Sequence, residues 1–361
     1  MKRFTGFEHG MGIGGWFTNY KRFHILPIEK RLDLTIGDME HFASYITKRD
    51  VDYIASLGMD HIRLGFDQIV IEGSPGVLRE EILSHIDDFI SWCENAGLNI
   101  VLNLHKAIGN YCDIPEKVKL MDSPELQERF IALWLLLEKR YAHKKSIAFE
   151  LLNEVVNIDP ELWNDLAEKT IKAIRKLDPT RKLIVGSRCY NDVAELKNLR
   201  LWEDPEVIYT FHCYSPFEFT HQRGVLQASP LYYNREMPYP GDIERYRDYQ
   251  KTLGGKESYP GLTVMDKEYL RRVLAPAAEF MEKNPEKILW CGEFGTIRHA
   301  KLQWRENYMR DLISLFKEYH IPYCVWNYLS TPNDGNRFSL VDDDNREILS
   351  GELAEIIAGN V

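Results

Sequence analysis

Short apolar runs alternate along this chain with longer segments in which apolar positions recur every three to four residues. The short runs suit strands buried on both faces and the longer ones amphipathic helices, an alternation that builds βαβ units around a parallel sheet. Candidate strands fall at 7–10, 61–66, 99–104, 147–152, 183–186, 207–211, 288–292 and 323–326. Helices fill the gaps. Over 84–96 the apolar positions are Ile86, Phe89, Ile90 and Cys93, and Gly97 supplies a left-handed stop. Ser123-Pro124-Glu125 and Asp159-Pro160 each place a capping oxygen before a proline at the first helical position. The first opens a helix with a stripe through Phe130, Trp134 and Leu137, the second a helix over 162–177. Eight strand candidates separated by helices predict an α/β fold of the (β/α)8 TIM-barrel type rather than an open doubly wound sheet.

One stretch breaks the rhythm. Between the sixth strand and a helix starting near Lys267, the chain is rich in proline, glycine and tyrosine, with Pro216, Pro230, Pro238, Pro240 and Gly254-Gly255. Connections longer than about 15 residues inside a compact domain are ordinarily functional or carry structure of their own. The aromatics Phe217, Phe219, Tyr232, Tyr233 and Tyr239 argue for order. The expectation is a single catalytic domain over 1–361 with an inserted subdomain at 215–266, near the barrel mouth, whose tyrosines wall one side of a groove.

Composition narrows the function. A net charge of −10 argues against nucleic acid as a partner, because phosphates would be repelled. A neutral polysaccharide is indifferent to that charge. No stretch approaches the roughly 18 apolar residues that span a membrane. The start Met1-Lys2-Arg3 has no signal-type apolar run behind it, so a cytoplasmic protein is expected, or a secreted one if the sequence is a mature form with an added Met. Cys93, Cys112, Cys189, Cys213, Cys291 and Cys324 are scattered, without metal-ligand spacing, and read as buried free thiols.

The chemistry lies in position. Arg63, His105, Asn153, Glu154, His212, Tyr214, Glu293 and Trp326 all sit on or just beyond predicted strands, toward their carboxyl ends. A barrel gathers those ends on one face, where active sites are built. Alone, each residue has a plain structural reading: a strand-end glutamate as an ion-pair partner, a histidine or tryptophan as core. Together they form a polar cluster with two carboxylates, which acetal hydrolysis needs: a proton for the leaving oxygen and an anion opposite the developing oxocarbenium ion. Glu150 shares the strand parity of Glu154 and so can point into the barrel.

Asn153-Glu154 after an apolar strand, His212-Cys213-Tyr214 and Gly292-Glu293-Phe294-Gly295 resemble glycoside hydrolase family 5, a family of retaining β-glycanases on (β/α)8 barrels. The likeness runs nearly end to end and is greatest to its small single-domain cellulases, through Phe149-Glu150-Leu151-Leu152-Asn153, Pro216 to Gln222 and Val325-Trp326-Asn327-Tyr328. The resemblance implies Glu154 as acid/base, Glu293 as nucleophile, Arg63, His105, Asn153, His212, Tyr214 and Trp326 as substrate-binding or positioning residues, and Glu150 as a paired, structural glutamate. It implies a retaining endo-β-1,4-glucanase with a β-glucan oligosaccharide or polysaccharide as substrate, no metal, no cofactor and a monomeric state. Mixed-linkage glucanase, mannanase or exo-glucosidase action would use the same site. A non-catalytic carbohydrate-binding barrel would lack one of the glutamates, and a Schiff-base aldolase would need a barrel lysine where only Lys106 stands. The sequence departs from the family at Lys106, where a histidine is common, and at Gly12, where relatives have asparagine.

Overall fold

A computed structural model of the chain describes residues 2–18, 36–111, 118–224, 235–252, 259–331, 334 and 336–361. Eight strands close a barrel: β1 His9–Phe17, β2 His61–Asp67, β3 Asn99–Lys106, β4 Ile147–Glu150, β5 Leu183–Gly186, β6 Val207–Cys213, β7 Ile288–Phe294 and β8 Tyr323–Val325. All neighbours pair in parallel and in chain order, with β8 returning to β1. The expected fold is therefore the observed one.

Alternation along the strands sets what the barrel contains, since every second side chain points inward. At its amino end Val101, Ala148, Ile184, Ile208 and Trp290 form an apolar plug with Phe4 and Phe7. Continuing in steps of two along the same strands come Asn103 and His105, then Glu150, then Thr210 and His212. The barrel thus passes from an apolar floor to a polar mouth. Outside it, the strands bury their other face against helices, among them Glu80–Asn95, Pro124–Tyr141, Pro160–Arg175 and Leu302–Glu318. The caps act as expected: Ser123 accepts from the Leu126 amide, Asp159 from the Glu161 amide, and Gly97 has φ +75°.

The first strand differs from its expected position at 7–10. It begins at His9 and runs through the glycine-rich segment to Phe17, while Phe7 stacks on Phe4 in the plug. Glycine weakens a strand signal but permits close approach of a neighbour. At Gly10 a β-carbon would lie 2.1 Å from the His61 ring, and at Gly14 it would lie 2.5 Å from the Trp326 indole. Rings from β2 and the end of β8 fill the space that β1 leaves empty.

In the 215–266 segment the described residues form a helical turn at Phe217–Thr220, a paired Gly241–Asp242 and Val264–Met265, and a helix at Ile243–Thr252. Phe219 and Tyr239 pack against Tyr308 of the helix Leu302–Glu318, and the Tyr239 hydroxyl donates to Asp311. Tyr239 is buried and anchors the segment to the barrel, so it does not wall a groove. Tyr232, Tyr233, Pro230 and Gly254-Gly255 lie outside the described residues, as does Cys112. Cys93, Cys213, Cys291 and Cys324 are buried thiols as expected, but Cys189 is only half-buried, because it sits in a loop at the mouth.

Candidate active site

All eight residues singled out at the strand ends meet at the mouth. Arg63, on the inner face of β2, is wholly buried between two carboxylates. Its Nε and Nη2 donate to Glu150 at 2.6 and 2.9 Å, its Nη1 to Glu293 at 2.5 Å, and its Nη2 also to Asn153 Oδ1 at 2.7 Å. Glu150 thus points into the barrel, as its strand parity suggested, and is the paired structural glutamate that the family resemblance implied. The second oxygen of Glu293 accepts from the Tyr214 hydroxyl at 2.8 Å. Glu154 lies beyond β4 with φ +43°, and its Oε1 is 3.0 Å from His212 Nδ1. A carboxylate oxygen of Glu154 and one of Glu293 lie within 4.8 Å of each other. Trp326 stacks nearly parallel to His105, ring centroids 5.8 Å apart, and His105 Nδ1 lies 3.0 Å from Asn103 Oδ1.

The two glutamates have different surroundings. Burial opposes ionisation of Glu293, but the Arg63 guanidinium and the Tyr214 hydroxyl, joined by the His212 and His105 imidazoles where these are protonated, outweigh it and hold the carboxyl well below the ordinary range. Burial likewise opposes the charge on Arg63, which Glu150 and Glu293 more than offset. Burial and the two nearby carboxylates push the Tyr214 phenol up, so it remains a donor. His105 is pushed down to about 3 by burial, and is uncharged at neutral pH. Glu154 is half-buried and faces the mouth. Asn153 Nδ2 is buried and has no acceptor among the described residues.

Gly12 has a structural reason. A β-carbon there would lie 2.8 Å from the Trp326 ring and 3.2 Å from the Val325 carbonyl, so an asparagine would require this indole to shift.

Glu154, His212 and Glu293 bring their ligand atoms close enough to hold a cation. The donor set fits one poorly. Both oxygens of Glu293 are already engaged by Arg63 and Tyr214, and a second positive charge beside the buried guanidinium would be repelled.

Sequence reading missed Asn191. It follows β5 in a turn where Cys189, Tyr190 and Asn191 all have left-handed φ, and its Nδ2 lies 3.1 Å from His212 Nε2. Nothing in the local sequence marks it, because its partner is on another strand. Tyr190 of the same turn is exposed, and with Met121, Val156, Ile158 and Leu162 it lines a cleft of about 290 Å³ beside the Glu154 segment.

Residues 29–331 match the family model for cellulase, glycosyl hydrolase family 5. The chain belongs to that family. It is 39% identical to endoglucanase C of Acetivibrio thermocellus over 98% of both chains, and 30% identical to cellodextrinase A of Ruminococcus flavefaciens over 82% of this chain and 78% of that one. Among solved structures, endoglucanase Cel5A of Thermotoga maritima superposes with a TM-score of 0.72 at 25% identity, covering 98% of this chain and 97% of that one. Membership in family 5 and the barrel agree, and the strand-end cluster is where such a fold gathers its chemistry.

Proposed function

We propose that this protein is a retaining endo-β-1,4-glucanase in which Glu293 is the nucleophile and Glu154 the acid/base. One observation carries the reading: two carboxyl groups within 4.8 Å, one clamped by a cation and a phenol, the other facing the mouth on a histidine. Retaining glycosidases space their carboxyl groups at about 5 Å, whereas inverting ones leave room for a water at about 6.5–9.5 Å.

In the first step a Glu293 oxygen attacks C1 of the sugar. The C1–O bond breaks, its electron pair stays on the leaving oxygen, and that oxygen takes the proton of Glu154. In the second step Glu154 takes a proton from water, the resulting hydroxyl attacks C1, and Glu293 leaves as a carboxylate. Two inversions at C1 give retention. Asn153 donates to the 2-hydroxyl of the sugar under attack, a contact that strengthens as charge develops. Neutral His105 binds a hydroxyl beside the Trp326 face, on which the sugar rests.

The test is hydrolysis of carboxymethylcellulose, barley β-glucan, lichenan and mannan in buffer with chelator. Product anomers are followed by proton NMR. Rapid loss of viscosity on carboxymethylcellulose with initial release of the β-anomer is expected. Release of the α-anomer, or action confined to mannan, would overturn the reading.

A further inference from the structure

The proton on Glu154 depends on what holds His212, and His212 is held from behind. Its Nδ1 meets Glu154 Oε1 at 3.0 Å, and its Nε2 meets the Asn191 amide nitrogen at 3.1 Å. Asn191 is completely buried. We propose that Asn191 is a positioning residue for Glu154, acting through the imidazole of His212; this rests on Glu154 being the acid/base.

The chemistry follows from the inventory of donors. An amide N–H facing Nε2 makes that nitrogen the acceptor, so a neutral His212 carries its proton on Nδ1. The Nδ1–H then points at Glu154 Oε1, which stays an acceptor through both half-reactions. The transferable proton is thereby confined to the other oxygen, Oε2, whichever way it moves. With an acceptor in place of that amide donor, the ring would favour the opposite tautomer and face the carboxylate with a lone pair.

The fold goes to some length to present this amide. Cys189, Tyr190 and Asn191 lie at φ +54°, +64° and +57°, a run of left-handed residues that a β-carbon disfavours at each position. Strained backbone of this kind persists where the surrounding structure over-determines it, and it gathers at functional sites. Here the turn is bonded to the residue that follows Glu154: the Tyr190 amide donates to the Val155 carbonyl at 2.9 Å. Arg188 ties the turn to Glu195 and the Ile158 carbonyl. Gly186 is bare where Asn191 packs, since a β-carbon there would come within 2.4 Å of the Asn191 Oδ1. Asp192 then bridges to His212 across the sheet. The turn thus joins both members of the Glu154–His212 pair.

The variant of choice is Asn191→Asp, which is isosteric, tolerates left-handed backbone and exchanges the donor for an acceptor. Removing a general acid matters in proportion to how much the leaving group needs a proton, so kcat/KM is compared on two aryl cellobiosides. With a phenyl leaving group a fall of about tenfold or more is expected, and with 2,4-dinitrophenyl a change of about twofold or less. The basic limb of the phenyl profile should move as well. An equal fall on both substrates, or no fall on either, would overturn the proposal. Glu154→Gln is run beside it. If that variant also shows no leaving-group dependence, the acid/base reading has failed; if it shows one and Asn191→Asp does not, only the role of Asn191 has. Should Asn191→Asp fail to fold, nitrogen-15 NMR of the parent enzyme decides: Nδ1–H on neutral His212 supports the proposal and Nε2–H refutes it.

Discussion

The Arg63 guanidinium lies 2.6 Å from the Glu150 carboxylate, with neither side chain reached by solvent. This pair is the foundation of the mouth, because the same guanidinium extends its Nη1 to Glu293. A buried ion pair costs much desolvation, and removing one partner strands the other charge. Glu150→Ala is therefore expected to lower unfolding free energy by about 3–5 kcal/mol. It should also weaken activity, as Arg63 shifts toward its remaining carboxylate. Urea denaturation of the variant measures the first effect; a loss below about 1 kcal/mol would contradict the account, being the scale of an exposed pair.

The roles proposed for Glu293 and Glu154 make their variants fail differently. Glu293→Gln leaves no nucleophile and should abolish turnover on every substrate. Glu154→Gln should lose about 10²–10⁴-fold on cellulose-type bonds yet keep much of its bond-cleaving first step on activated aryl glycosides. Pre-steady-state release of the aryl group separates the two. Equal losses on the activated substrate would contradict the assignment of roles.

Acid should act through two kinds of buried group. Glu293 has a depressed pKa, so the stability it contributes is present above its unfolded value of 4.5 and is lost as pH falls through the lower folded value. His105 and His221 are pushed from 6.5 down to about 3 by burial. Below 6.5 the unfolded chain binds protons that the folded chain refuses, so they too make stability fall with acid. Each histidine contributes a slope of up to about 1.4 kcal/mol per pH unit across that window. Melting from pH 7 to 4 should show the decline, and His221→Gln should flatten it; an unchanged slope would show that His221 takes up no proton on unfolding. Tyr214→Phe should raise the acidic limb of kcat/KM, since Glu293 loses a donor to its charged form.

Gly12 and Gly14 should resist any side chain. Gly14→Ala puts a β-carbon 2.5 Å from the Trp326 ring as it stands, so the indole must tilt. A displacement of about 1 Å in a substrate-positioning group can cost up to about 10²-fold, and a fall of about tenfold in kcat/KM with the fold intact is expected. Steady-state kinetics with a circular dichroism melt will show it. Parent-like activity would mean that Trp326 does not form the sugar platform.

The primary sequence alone determined the barrel, because alternating apolar runs and capped helices are local signals that depend on near neighbours. It also marked Glu154, Glu293 and their six companions, since polar residues at the ends of buried strands stand out against an apolar background. The extent of the first strand was misplaced because its inward positions are glycines, and the rings that fill them, His61 and Trp326, belong to other strands. Asn191 and the packing role of Tyr239 escaped for the same reason: a partner distant in sequence leaves no trace in adjacent residues. Glu150 lay between these cases, its inward direction readable from parity but its grip on Arg63 visible only once β2 and β4 were brought together. Tertiary packing settled those contacts, because only the assembled barrel and its helices place side chains distant in sequence within hydrogen-bonding reach.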